Sequence, residues 1–123
     1  MAATRAMTKD DVSALVEREI ARYRYEPGTG LIGRPWAAER VARELEELRS
    51  ALVPPRPATL NVEEYVGKPP RTSDAWVVAE SADGTVVAYE PATREFWLVQ
   101  RNAAGALTTY GVNGDLVGTF MAR

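Results

Sequence analysis

The chain has 123 residues, of which 46% are hydrophobic and 26% are charged, as in an ordinary globular domain. It contains neither histidine nor cysteine, which excludes Ser-His-Asp and Cys-His mechanisms, a disulfide framework and thiolate metal sites. The formal net charge is −2 and no basic run is present, so a nucleic-acid partner is disfavoured.

Residues 8–52 have the apolar spacing of helices. Thr8 is a typical N-cap residue with Asp11 in the capping-box position, and the apolar stripe that follows predicts a helix ending near Tyr25. Pro35 suits the first position of a second helix, which carries its own apolar stripe and is ended by the prolines that follow it. We therefore expect two N-terminal amphipathic helices, each packed against another surface.

Residues 53–74 hold five of the eight prolines and are predicted to form an extended connection. Residues 75–120 alternate short apolar runs with turn residues, which is typical of an antiparallel sheet. Strands are predicted over residues 75–80, 85–90, 95–101 and 106–112. The Asp83-Gly84 pair favours a type I′ hairpin turn between the first two strands. Residues 113–120 fit either a further strand or a short capped helix, and both alternatives stay open.

Together these elements predict one α+β domain over residues 1–123, with two N-terminal amphipathic helices followed by a four- or five-stranded antiparallel β-meander. Apolar residues of the third strand point to both faces of the sheet, for example Leu98 to one face and Trp97 to the other. Because two helices cover one face, the second face is predicted to be a partner or homodimer surface.

A literal G-x-G-x-x-G motif occurs at residues 28–33. The dinucleotide-binding motif requires a parallel strand before it, whereas a predicted helix precedes it here, so a flexible link between antiparallel helices is favoured. A Gly-rich turn at a helix N-terminus can still hold an anion. The alternative anion-binding site therefore consists of Gly28, Gly30, Gly33 and Arg34.

The acidic residues lack a catalytic arrangement. Carboxylate catalysis requires two acids that converge on one cleft, and adjacent acids such as Glu63 and Glu64 point apart. With no metal-binding spacing either, we expect no catalytic residue, no metal and no cofactor. The residues predicted to contact a protein partner are aromatic anchors, expected to be exposed, and carboxylates that orient the partner: Trp36, Trp97 (or Trp76), Glu63, Glu64 and Asp83.

The C-terminal half carries a set of turns and strands in a specific order. An Asp-Gly turn joins runs 76–80 and 83–90, a Glu-Pro-Ala-Thr turn leads into run 93–99, and the tail 112–120 closes the chain. Over residues 75–120 this order resembles the SUKH immunity superfamily, although Arg94 stands where that family tends to have glycine. The resemblance implies a bacterial cytoplasmic protein that binds and neutralises a cognate toxin without catalysis.

The sequence therefore predicts a non-catalytic protein-binding module, an immunity or adaptor protein that neutralises or docks a toxin or effector. A small-ligand or anion-binding domain, or an accessory subunit, using residues 28–34 is the alternative, and a homodimer is a third hypothesis. Thirteen of the 15 basic residues are arginine, which is typical of a GC-rich bacterium. Since no secretory or membrane-spanning apolar run is present, we expect a cytoplasmic protein without membrane contact.

Overall fold

The computed structural model describes residues 6–25, 36–63 and 67–123. The elements, in chain order, are α1 (Lys9–Arg22), α2 (Ala38–Ala51), β1 (Leu52–Val62), β2 (Arg71–Glu80), β3 (Val86–Glu90), β4 (Glu95–Arg101), β5 (Leu107–Thr109), β6 (Asn113–Gly114) and α3 (Leu116–Met121). The predicted α+β class is confirmed. In the described part of the chain, no helix combines the length and the apolar character that crossing a membrane requires.

The first helix begins where the sequence predicts. The Thr8 side chain accepts the backbone N–H of Asp11 at 3.2 Å, and the Asp11 carboxylate accepts the backbone N–H of Thr8 at 2.8 Å, which completes a capping box. The buried apolar stripe of α1 consists of Val12, Val16 and Ile20. This stripe packs on the outer side of the sheet, as its helical spacing requires.

Five strands close into a barrel. Each strand from β1 to β5 pairs antiparallel with the next one, and β5 then pairs with β1 in parallel. An up-and-down meander with an odd number of strands returns in the direction in which it started, so its closure requires one parallel pair. The predicted antiparallel meander is confirmed for the three neighbouring pairs β2–β3, β3–β4 and β4–β5, but a purely antiparallel sheet is wrong because β1 pairs in parallel with β5.

Strand β1 includes three of the five prolines in the stretch 53–74 that was predicted to be a connection, and that prediction is wrong. Proline is excluded only from strand positions whose N–H must pair. The Glu63 N–H donates to the Thr109 carbonyl at 2.9 Å, so odd-numbered residues of β1 direct their N–H groups toward β5. Pro57 has the same parity, and it lies outside the segment of β1 that pairs with β5. The missing N–H of Pro57 therefore breaks no pairing with that strand.

The element boundaries around β1 also differ from the prediction. The second helix ends at Ala51, and β1 follows it directly, so no proline is needed to stop the helix. The first predicted strand starts four residues earlier than expected, at Arg71, because β1 supplies it with a pairing partner from residue 52 to residue 62. These differences all come from the long-range pairing of β1 with β2.

The sheet is apolar on both faces because one face lines the barrel and the other supports the helices. The buried residues of the barrel interior are Leu60, Val62, Ala75, Val77, Val86, Ala88, Trp97, Val99 and Leu107. A second buried layer joins the three helices to the outer side of the barrel and includes Val16, Leu48, Val87, Phe96, Leu116 and Phe120. The second apolar face is therefore wrong as a partner or homodimer surface, because closure of the barrel buries it.

The β2–β3 hairpin is present, with a turn type that differs from the prediction. The Gly84 N–H donates to the Ser81 carbonyl at 3.0 Å, and Gly84 has φ of +90°. Among the described non-glycine residues only Arg94 has positive φ, so Asp83 does not meet the type I′ requirement. A type I turn closed by a left-handed glycine joins these strands instead.

Residues 113–120 form both of the structures that the sequence left open, first a short strand and then a capped helix. The two residues of β6 pair with β4, and α3 follows them. The Asp115 side chain accepts the Gly118 N–H at 3.0 Å and so caps α3. The Asn-Gly pair thus forms β6, and the capped apolar run after it forms α3.

Candidate protein-binding face

The outward side chains of β1, β2 and the end of β5 form a surface that the described helices leave largely uncovered. Since Leu60 and Ala75 face the barrel interior, residues of the opposite parity on β1 and β2 face outward. We call this surface the open sheet face; its residues, all exposed or half-buried, are Pro57, Thr59, Asn61, Glu63, Thr72, Asp74, Trp76 and Tyr110. Cross-strand pairing places Asp74 opposite Thr59 and Thr72 opposite Asn61.

Two shallow grooves run along the open sheet face. One has a volume of about 510 Å³ and is lined by Asn61, Glu63, Pro70, Arg71 and Thr72. The other, of about 400 Å³, is lined by Pro57, Ala58, Thr59, Asp74, Ala75 and Trp76. Each groove contains one carboxylate and lies on the surface rather than inside the barrel. Such a shape fits an extended macromolecular segment better than an enclosed small molecule.

Tyr110 is the most exposed aromatic feature of this surface, with 60% of its area accessible. Pairing of Val62 with Thr109, together with the hydrogen bond from the Glu63 N–H to the Thr109 carbonyl, puts Glu63 beside Tyr110. Val112, which is 44% exposed, is a second large apolar side chain two residues further along. The surface thus combines an exposed aromatic ring with a neighbouring carboxylate.

The two carboxylates of the open sheet face, on Glu63 and Asp74, form no ion pair with any other described residue. With about 3.3 Å per residue along a strand and about 4.8 Å between strands, their backbones lie about 14 Å apart. Arg71, which lines the same groove as Glu63, is bound to the buried Glu90 carboxylate. The face is therefore acidic.

A buried cluster holds the Arg71 side chain at the end of this face. Arg71 donates to both carboxylate oxygens of Glu90, at 2.5 and 3.1 Å, and Glu90 itself is fully buried. The Thr93 hydroxyl donates to Glu90 at 2.7 Å, and the Trp97 indole N–H donates at 3.1 Å. Burial alone would raise the pKa of Glu90, but hydrogen bonds, first of all from Arg71, outweigh burial and lower it to about 2. A carboxyl group with so low a pKa is ionised at neutral pH and is a poor proton donor.

Trp97 is wrong as an exposed partner-binding anchor. It is 3% exposed, it belongs to the barrel interior, and its indole N–H is bound to Glu90. The predicted alternative, Trp76, is half-buried at one end of the open sheet face and packs partly against the helical layer. A tryptophan inside the barrel contributes to packing rather than to a partner contact.

Trp36 lies at the start of the second helical segment, where it contacts the end of the first. Its ring stacks on Tyr25 with centroids 6.5 Å apart, and its backbone N–H donates to the Tyr25 hydroxyl at 2.9 Å. The guanidinium carbon of Arg40 lies 3.8 Å from the ring centroid. Glu64 and the alternative anion site of Gly28, Gly30, Gly33 and Arg34 lie outside the described residues.

Asp83 lies in a separate groove of about 630 Å³ between α2 and the β2–β3 turn. Its carboxylate accepts hydrogen bonds from the Ser81 hydroxyl and from the Thr85 N–H, and these bonds hold its pKa below the usual range. The Arg123 Nε lies 3.5 Å from Asp83, and Arg123 also pairs with two glutamates of α2. The Asp83 carboxylate is therefore already bound within the chain, and it lies in a different groove from Glu63.

The buried carboxylates of the described residues are Glu19 and Glu90. Glu19 accepts the Leu116 N–H at 3.3 Å and pairs with Arg22 at 2.5 Å, so it links α1 to α3. Within the described ranges, no group of three or more acidic, histidine or cysteine side chains is arranged to hold a metal ion. Both buried carboxylates thus have structural contacts.

Sequence reasoning assigned Glu63 to the partner site but missed Asp74 and Tyr110. The alternation over residues 107–110 is a signal that could have placed Tyr110 outward, because Leu107 faces the interior. Asp74 fell within the stretch that was predicted to be a connection, and a connection has no defined face. Comparisons of the chain with protein-family models, with curated proteins and with solved structures found no match to any of them.

Proposed function

We propose that this chain is a non-catalytic protein-binding module of the immunity or adaptor type, which covers part of a partner protein with its open sheet face. The observation that carries the proposal is the exposed ring of Tyr110 beside Glu63 on that face. Protein interfaces gain most of their affinity from a few aromatic or arginine anchors surrounded by a polar rim. Polar residues such as Thr59, Asn61 and Thr72 supply such a rim here.

The chemistry of the buried acids supports binding rather than catalysis. Glu90 is ionised and held by Arg71, and Glu19 is held by Arg22 and by the backbone of α3. Glu90 has a lowered pKa and is fully buried, whereas a general acid requires a raised pKa at a position that substrate can reach. The role proposed for the chain is therefore steric occlusion of a partner.

The partner that we propose is a protein, and neither a nucleic acid nor a membrane. The acidic open sheet face would repel phosphate groups. The resemblance of residues 75–120 to SUKH immunity proteins favours a toxin or effector as the partner and a bacterial cytoplasm as the location.

The test is formation of a complex with the product of the adjacent gene, the natural candidate for a cognate toxin. The full chain and the candidate are co-expressed, and the mass of the complex is measured by light scattering. We expect a one-to-one complex that is lost in the double variant Glu63→Gln/Tyr110→Ala. The matched control is Glu17→Gln, the same chemical change on the exposed side of α1. Retention of the complex by the double variant, or absence of any complex, would contradict the proposal.

A further inference from the structure

Two side chains of complementary chemistry project together from the open sheet face. Glu63 and Tyr110 follow the paired residues Val62 and Thr109, and the 2.9 Å hydrogen bond from the Glu63 N–H to the Thr109 carbonyl fixes their adjacency. Neighbouring strands lie about 4.8 Å apart, so a single group from a partner can touch both side chains at once. The pair therefore forms one small subsite rather than two separate contacts.

A carboxylate beside an aromatic ring is suited to a guanidinium group. The carboxylate accepts two parallel N–H bonds from the planar fork, and the ring face attracts the delocalised cation. A lysine ammonium can form the ion pair but has no planar group to stack on the ring. The chemistry of the subsite thus favours arginine over lysine.

The same chain already holds one of its own arginines in this way. Arg71 donates to both oxygens of Glu90, at 2.5 and 3.1 Å, and its guanidinium carbon lies 5.9 Å from the centroid of the Trp97 ring. The cluster thus combines a carboxylate, an aromatic ring and a guanidinium group. The pair on the open sheet face presents the first two of these groups to the outside.

The charge around the subsite also favours a cation. Glu63 and Asp74 make no ion pair among the described residues, whereas the Asp83 carboxylate lies 3.5 Å from Arg123 of the same chain. Asp74 lies about 14 Å from Glu63 along the same face, where it can meet a second basic residue of an extended segment.

We infer that Glu63 and Tyr110 form an arginine-binding subsite for a basic segment of the partner protein, with Asp74 as a second contact. The inference rests on the proposed function and adds the chemistry of the partner. Tyr110 supplies the ring on which the guanidinium group stacks, and Glu63 supplies the oxygens that accept its hydrogen bonds.

The test is an NMR titration of the full chain with three short peptides that differ only at one position, which is arginine, lysine or glutamine. We expect the arginine peptide at millimolar concentration to shift the amide signals of residues 61–63 and 108–112. Its affinity should exceed that of the lysine peptide about two- to fivefold, and the glutamine peptide should bind weakest. Added salt should weaken the binding of both charged peptides.

Variants separate the two groups of the subsite. Glu63→Gln and Tyr110→Ala should each weaken the arginine peptide about two- to fivefold, whereas Tyr110→Phe, which keeps the ring, should bind it as the native chain does. Glu17→Gln serves as the control on α1 and should bind normally. Equal binding of the arginine and glutamine peptides, signal shifts confined to other residues, or no effect of Tyr110→Ala would overturn the inference.

Failure of the inference can be told apart from failure of the proposed function. If the partner complex forms through the open sheet face but the peptides do not distinguish arginine, only the arginine subsite is refuted. If the peptides behave as expected but no protein partner binds the face, the subsite stands and the proposed immunity or adaptor function is refuted.

Discussion

Replacing Glu90 with glutamine removes the buried charge that holds Arg71 while the side chain keeps nearly the same shape. The pKa of Glu90 falls from its ordinary value of 4.5 to about 2 in the folded chain. One pKa unit corresponds to about 1.36 kcal/mol, so the ionised carboxylate contributes about 3 kcal/mol to the free energy of unfolding at neutral pH. We therefore expect the Glu90→Gln variant to be less stable by about that amount.

The sign of the pH dependence follows from the lowered pKa. A carboxyl group whose pKa is lower in the folded state stabilises the fold above its unfolded pKa, and this stabilisation is lost as the pH falls toward the folded pKa. The window therefore runs from pH 4.5 down to about pH 2. We expect the stability difference between the native chain and the variant to shrink from about 3 kcal/mol at neutral pH to about half of that at about pH 3.

Urea unfolding at a series of pH values, followed by tryptophan fluorescence, measures this difference. The chain has three tryptophans, and one of them, Trp97, contacts Glu90 directly. Taking the difference between two chains cancels the titration of all other carboxyl groups. The control is Glu63→Gln on the exposed surface, which should change stability by less than about 0.5 kcal/mol. A difference for Glu90→Gln that stays constant from neutral to acidic pH would refute the reasoning.

Three further changes test local features. Arg94 has φ of +59°, so Arg94→Gly should raise the free energy of unfolding by up to about 1 kcal/mol, and Arg94→Ala, which keeps the strained backbone, should not. The buried Thr109 hydroxyl has no hydrogen-bond partner in the described structure; Thr109→Val should therefore raise the melting temperature, and a decrease would show that the hydroxyl is bonded. Asp115→Ala should lower the free energy of unfolding by about 1 kcal/mol and speed hydrogen exchange at the Gly118 amide; unchanged exchange there would contradict the capping role.

Elements that depend on sequence neighbours were predicted well. The start of α1 follows from the reciprocal bonds of Thr8 and Asp11, and the predicted strand 95–101 has the bounds of β4. The turn after the second predicted strand is also present, and within it Arg94 has a positive φ, a conformation that favours glycine.

Features that depend on pairing between distant strands were not predictable in the same way. Whether Pro57 is tolerated in a strand depends on which of its sides is paired, and that is set by where β5 begins. A strand with two apolar faces fits either a sheet between two layers or a closed barrel. The burial of Trp97 follows from the second of these folds, the closed barrel. In the candidate site, Glu63 could be predicted from the sequence, whereas its neighbours Asp74 and Tyr110 could be assigned to the site only once the strand register was known.

The parallel pairing of β1 with β5 has a consequence for how the proposed subsite behaves in solution. Glu63 and Tyr110 stand on opposite sides of the barrel seam, and β5 holds that seam with only three residues. Brief opening of the seam would separate the two side chains while the helices and the longer strands stay folded. A bound partner would keep the seam closed, and its apparent affinity would therefore depend on the fraction of molecules in which the seam is closed. The Glu63 amide would exchange more slowly in the complex than in the free chain.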